Sequence, residues 1–494
     1  MNIPVQRVPV MKAAMKEAKG LYQGLDDNLI NLSYSPDCQN IDVSEGIISS
    51  RKGYKPHLYN VGAVSSVKRF FRLEGWVDDS TDRSTVVVGV ANTAWYSRIG
   101  VSAVVIFEPY PSGDAAMTDV DAETAMAVNY MINNEPVLII VSTGADPYYV
   151  YYNATQSRYE AAPLSVTPPT STDGFRFVCE HRERIWLAGG SEKNTVYYSN
   201  AYDPTDWSTA GETGSKIVQT FDSDSIRGMA NLLDDVLIFK RNTIWKVVGD
   251  TPSEYSVEQV YSIRGAIYPR SICTNGDLCF FAADDGIYQY DGIQGKPILT
   301  DEIKEAFSAM TDIRCVIIGS KLYVWDIISD DTGKCIVYDL KRKTIEVLKV
   351  ATSDRPVDIG SYNGILLYAD ALSIYEFDNT KIKFDASNID AYWITPDTDF
   401  SHPSATKKLK DIYFNAWGTT NAGAAGGQIK ITAYANKKGT VKTKEKTVTL
   451  STARKPHRLR YTLPGRIFKF KIENVDGSAF SMTPPEFDFE LAED

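Results

Sequence analysis

Chemistry in this 494-residue chain would have to come from arginines, carboxylates or a handful of histidines, because GxSxG, P-loop and HExxH signatures are all absent. Five arginines, Arg69, Arg176, Arg227, Arg270 and Arg314, stand at the start of successive apolar stretches. Such a series either converges on one site or pairs each repeat with the next. Recurrence at equivalent positions is what a repeat produces anyway, so the pairing reading is preferred. The four histidines, His57, His181, His402 and His457, are too scattered for a His-rich metal cage. His402 and His457 sit in proline-containing stretches and His57 in a lead-in segment, which suits surface residues better than ligands. Asp234-Asp235, Asp284-Asp285 and Asp330-Asp331 could contribute to a calcium site, but each reads first as a polar turn. No residue is named as catalytic, no cofactor or metal is called for, and the chain reads as non-enzymatic.

The elements that would position these residues form a three-part phrase, repeated about seven times between residues 65 and 380. Each copy has a strand, a second and strongly apolar strand, and a third strand rich in aromatics. Examples of the second are Leu138-Ile139-Ile140-Val141, Ile185-Trp186-Leu187-Ala188, Val236-Leu237-Ile238-Phe239 and Ile365-Leu366-Leu367-Tyr368. The third strands include Asn92-Thr93-Ala94-Trp95-Tyr96, Tyr148-Tyr149-Val150-Tyr151, Val196-Tyr197-Tyr198 and Ile287-Tyr288. A strand-only period of roughly 40 to 55 residues is the mark of propeller blades. One four-stranded blade cannot cover both its faces, and packing blades around an axis does so. The expected fold is all-β: a β-propeller of about seven blades, with six to eight compatible, plus an N-terminal arm and a C-terminal β-sandwich.

Three regions follow. Residues 1–64 form the arm, in which Met11 to Lys19 has helix formers ended by Gly20 and is expected to be a short helix. Leu21 to Pro56 is irregular, and an arm of this length either wraps its own propeller or reaches a neighbour. Residues 65–384 are the propeller, interrupted by an expected helix at Asp301 to Met310. Residues 385–494 change to alternating strands, about seven of them, which suggests a sandwich. No run of about 18 apolar residues is present, and the N-terminus lacks a secretory layout. The six cysteines form no CxxC and several lie in apolar strands, so they read as buried thiols suited to a reducing cytosol.

Net charge is −11 but uneven: from residue 401 onward 16 Lys/Arg face 9 Asp/Glu, or +7, leaving −18 on the preceding residues. The excess gathers at Lys437, Lys438, Lys442, Lys444, Lys446, Arg454, Lys455, Arg458 and Arg460. It reads as a solvated face, as a docking patch for an acidic partner, or, with no aromatic interleaving to support it, as a nucleic-acid patch. As assembly contacts the first candidates are Lys442, Lys444, Lys446, Arg454, Lys455, Arg458 and Arg460. The arm, with Arg51 and Tyr54, comes next.

Two resemblances bear on function. Ser329-Asp330-Asp331-Thr332-Gly333-Lys334-Cys335-Ile336 resembles the Asp-box turn of sialidase-type propellers, but it occurs once and lacks the aromatic. Kelch and WD40 marks are missing. The stretch Asn40-Ile41-Asp42, Gly46-Ile47-Ile48 and Arg51-Lys52-Gly53-Tyr54 is similar to the opening of bacteriophage tail propeller proteins. Tyr197-Tyr198-Ser199 with Asp203-Pro204-Thr205-Asp206-Trp207, then Ile226-Arg227-Gly228 and Asp285-Gly286-Ile287-Tyr288, resemble their successive blades. The pattern spans most of residues 35–380 and is nearest to the tail nozzle (tail tubular or hub) proteins of short-tailed phages. That resemblance implies a virion protein folded in the host cytoplasm, forming a homohexameric ring at the distal end of the DNA-ejection channel. Its partners would be itself, the adaptor and tail fibres, with genomic DNA passing without specific binding. An acidic body agrees with such a channel, since it repels phosphates. The alternatives are a virion propeller that binds host-surface glycans, a propeller-type glycosidase or lyase, and a cellular scaffold.

Overall fold

The computed structural model describes residues 9–58, 67–78, 81–82, 85–90, 94–99, 107–109, 121–155, 158–166, 174–218, 224–327, 334–350, 356–384 and 387–492. Asn92-Thr93 and the Ser329 to Gly333 part of the Asp-box-like turn, with Asp330-Asp331, lie outside the described residues.

The protein is all-β, and its repeats are four-stranded antiparallel blades, the sixth extended by two short parallel strands. Innermost strands begin at Val67, Met126, Phe177, Gly228, Cys273, Ile313 and Asp358, giving seven sheets in chain order. The apolar second strands are buried on both faces, as in Arg184–Ala188 and Cys279–Ala283. Each sheet shares a hydrophobic cluster with the next. Leu73 meets Leu138, and Ile139 meets Ile185. Trp186 meets Val236, and Phe239 meets Phe281. Phe280 and Ile313 belong to one cluster, and Trp325 meets Tyr368. Leu367 then meets Val67, which returns the packing to the first sheet.

The seventh sheet takes only three strands from its own stretch. Its fourth is Tyr54–Leu58, which pairs antiparallel with Ile374–Phe377. Pro56 is tolerated there because this is an edge strand, where a missing N–H costs no ladder bond. The arm therefore wraps its own propeller, and the expected boundary at residue 64 does not separate a free segment.

Of the other arm strands, Gly20–Leu21 and Tyr34–Ser35 extend the sixth sheet beside Thr344–Lys349, and the rest join the C-terminal strands in two further sheets. One has the order Val10–Ala14, Glu486–Leu491, Lys407–Thr419, Ala479–Met482, Ile48–Ser50, Ile41–Asp42, with Lys455–Gly465 also paired to Lys407–Thr419. The other runs Asp37–Gln39, Tyr392–Ile394, Ile467–Val475, Gln428–Lys437, Thr440–Thr449. Alternation sets which side chains face inward: Ile429, Ile431, Phe468, Phe470 and Ile472 share one core with Leu409, Ile412, Phe414, Phe487 and Phe489.

The expected helix at Met11 to Lys19 is instead a strand, Val10–Ala14, in register with Glu486–Leu491 from Val10↔Glu490 to Ala14↔Glu486. Two turns of helix are marginal in isolation, whereas an open sheet edge satisfies the same backbone groups and lets Met11 and Ala13 lean on the core. Gly20 then runs beside Ile345 at φ +94°, where a Cβ would lie 1.7 Å from the Ile345 carbonyl oxygen. Only glycine permits that approach. The helix expected at Asp301 to Met310 is present in shorter form, as a 3-10 turn at Asp301–Ile303 continued by Lys304–Ser308. All six cysteines are free, and all but Cys273 are buried. No helix among the described residues is long and apolar enough to cross a membrane.

Candidate assembly surface and axial charge cluster

The basic residues near the C-terminus come together on two neighbouring strands. Among the described residues Thr440–Thr449 is an edge strand, paired only with Gln428–Lys437. All its residues except Lys444 and Val448 are exposed. Lys455–Gly465 runs close by: the Lys444 ammonium donates to the Tyr461 carbonyl, and the Tyr461 hydroxyl donates to the Ile431 carbonyl at 2.7 Å. On this strand Arg458 donates to Asp411 at 2.9 Å and lies 5.5 Å from the centre of the Tyr413 ring. Arg460 approaches the same carboxylate at 3.7 Å, and Arg454 lies 5.4 Å from the Trp417 ring centre. The Arg458 hydrogen bond, opposed by burial, holds the Asp411 carboxyl below its ordinary value. Lys442, Lys446 and Lys455 have no partner among the described residues. The surface thus has fixed arginines at its base and free lysines along an open backbone edge.

Arg51 and Tyr54, expected at an interface, act inside the chain. Arg51 donates to Glu346 at 2.6 Å, with Lys321 3.4 Å from the same carboxylate, and so ties the arm to the sixth blade. Tyr54 is 1% exposed. Its ring stacks on Phe384 at 4.8 Å and meets Tyr368 and Tyr375 edge-on at 4.9 and 5.1 Å. The signal missed in the sequence was the strand pattern of Tyr54–Leu58, obscured by Pro56.

The recurring arginines divide. Arg69 and Arg314 both donate to Asp358, at 2.5 and 2.6 Å, linking the first and sixth blades through the seventh. Asp358 also accepts from the backbone N–H groups of Phe70 at 3.0 Å and Ile359 at 2.9 Å. Burial raises the pKa of this carboxyl, and the guanidiniums of Arg69 and Arg270 and the two backbone N–H groups oppose the shift. Blade-to-blade pairing therefore describes Arg69 and Arg314. Among the described residues Arg227 approaches only its near neighbour Asp224, at 3.8 Å, and Arg176 and Arg270 make no such pair. Asp358 carried a sequence signal that went unread: a charge between Val357 and Ile359 at the start of an innermost strand.

Of the Asp pairs at turns, Asp284-Asp285 engages arginines, and Asp235 accepts from Lys246 at 3.1 Å. Asp284 accepts from Arg241 at 2.8 Å and Asp285 from Arg264 at 3.0 Å. Among the described residues no three His, Cys, Asp or Glu gather as a metal-ligand group.

No family model matches the chain, and neither does any curated protein. Among solved structures it is similar to selenomethionine-substituted virginiamycin B lyase from Staphylococcus aureus, at 12% identity over 62% of this chain and 97% of that one, TM-score 0.39. It is also similar to the computationally designed Ika8 protein, at 8% identity over 65% of this chain and 99% of that one, TM-score 0.39. A third similar structure is Saccharomyces cerevisiae Sqt1, at 9% identity over 59% of this chain and 80% of that one, TM-score 0.39.

Proposed function

We propose that this chain is a structural component of a bacteriophage tail, one copy of a homohexameric nozzle or hub ring around the distal DNA-ejection channel. In this reading the blades close as a seven-bladed propeller that decorates the ring, and the two remaining sheets form a β-sandwich that builds its wall. The observation that carries it is the lysine-bearing edge strand Thr440–Thr449, open along its length on a chain whose first 400 residues carry −18. A basic edge facing an acidic surface of the next copy is a heterologous contact, and such contacts close into rings when the rotation permits. The acidic body keeps passing DNA from adhering. The adaptor and tail fibres are the further partners, and the protein folds in the host cytoplasm before joining the virion.

Mass photometry and negative-stain imaging of the purified protein, alone and with tail components, test this reading. A six-fold ring with an axial channel, formed alone or only on tail components, supports it. A monomer that stays single with every tail component overturns it.

A further inference from the structure

A pocket of about 540 Å³ is lined by Lys68, Glu123, Arg176, Arg270, Asp312 and Arg314. Each residue lies at, or a few positions before, the start of an innermost strand, in the first, second, third, fifth and sixth blades. Val357, just ahead of the seventh, completes the wall. Residues from six blades meet only near the axis, so the pocket is one mouth of the ring.

Its charges are unequally satisfied. Glu123 holds Lys68 at 2.8 Å, and Asp358 holds Arg314. Arg176 is exposed and Arg270 half-buried, and neither has a hydrogen-bond or ion-pair partner among the described residues. Burial, then the nearby Arg69, bring the Arg270 pKa down to about 10 against the opposing pull of Asp358, Asp312 and Glu123, none of which reaches hydrogen-bond distance, so the group is still a cation at neutral pH. A partly desolvated cation without an acceptor is costly, and an anion in the pocket would relieve it. Glu123 and Asp312 face the same space, which disfavours a multiply charged anion. They would instead accept hydroxyl hydrogens. The volume falls in the range of small-molecule sites, about 300 to 1,000 Å³.

We propose that the axial pocket binds a small acidic sugar, with its single carboxylate on Arg270 and Arg176 and its hydroxyls on Glu123 and Asp312. This site does not depend on the ring reading and would serve a monomer equally.

Isothermal titration calorimetry of the full chain tests it, with glucuronate, galacturonate and N-acetylneuraminate as probes and glucose and inorganic phosphate as contrasts. At least one acid is expected to bind one-to-one, with glucose and phosphate about tenfold weaker or worse. Arg270→Met and Arg176→Gln, each with unchanged thermal unfolding, are expected to weaken that acid about tenfold. Because Arg176 is exposed, its variant keeps the test decisive if Arg270→Met unfolds. No acid bound at about 10 mM, phosphate or glucose binding as well as the acids, or wild-type affinity in Arg176→Gln would each overturn the proposal.

Discussion

Five of the seven blades take four strands consecutive in the chain, and the first is interrupted by the hairpin of Trp76–Asp78 and Thr81–Asp82, whereas the two-sheet body draws Val10–Ala14, Asp37–Gln39, Ile41–Asp42 and Ile48–Ser50 from the opposite end of the sequence. Charge divides along nearly the same line, the residues from 401 onward being net basic and those before them net acidic. The propeller is thus a mostly local construction that takes the distant strand Tyr54–Leu58 to complete its last blade and carries Gly20–Leu21 and Tyr34–Ser35 at the edge of its sixth. The two-sheet body rests mainly on non-local pairings, and its hairpin of Gln428–Lys437 and Thr440–Thr449 presents the open basic edge. The comparison teaches that the arm joins both: the same segment completes the seventh blade and supplies strands to the two-sheet body.

The sharpest way to break that arrangement is at Tyr54. Tyr54→Ala removes a fully buried ring from the cluster with Phe384, Tyr368 and Tyr375, and is expected to cost about 3 to 5 kcal/mol in equilibrium urea unfolding. Hydrogen exchange should show Ile374–Phe377 losing protection first. A cost under about 1 kcal/mol would mean that the seventh blade does not need the arm.

Asp358→Asn comes next. It leaves Arg69 and Arg314 without their shared carboxylate, and a loss of about 3 kcal/mol is expected. Wild-type stability in that variant would remove the axial clasp from the description of the propeller.

A smaller effect is expected in the two-sheet body. Asp411 has its carboxyl held below the ordinary value by Arg458, so its folded pKa lies under the unfolded one. Its stabilisation is present above the unfolded carboxylate pKa of about 4 and is lost as pH falls through the folded value. Because Arg458 and Arg460 are themselves exposed, Asp411→Asn should cost about 1 kcal/mol or less at neutral pH. The gap should close in acid, as followed by denaturation curves across pH.

The smallest effect on folding is expected from reversing the edge. Lys442→Glu with Lys446→Glu should leave monomer stability within about 0.5 kcal/mol while weakening assembly. Either an intact ring or an unfolded monomer contradicts that expectation.

The propeller was legible because its signals are local. Doubly buried second strands read as continuous apolar runs, and their spacing recurs. The arm was not, for two physical reasons. Helix propensity over Met11 to Lys19 is a weak local preference, overridden by the open edge of Glu486–Leu491 some 470 residues away. Tyr54–Leu58 carries a proline and pairs across more than 300 residues, so nothing nearby marks it as a blade strand. Of the candidate surface, the basic run was visible as composition, and the structure places its members on two adjacent strands. Which arginines were free was not visible, since that depended on where Asp358 lay.

The most direct measurement is zero-length carbodiimide cross-linking of a mixture of light and heavy isotope-labelled protein, read by mass spectrometry. Mixed-isotope links from Lys442 or Lys446 to propeller carboxylates are predicted, because the proposed ring sets the basic edge of one copy against the acidic blades of the next. Mixed-isotope links that avoid this edge, or none at all under conditions where assemblies form, would contradict it.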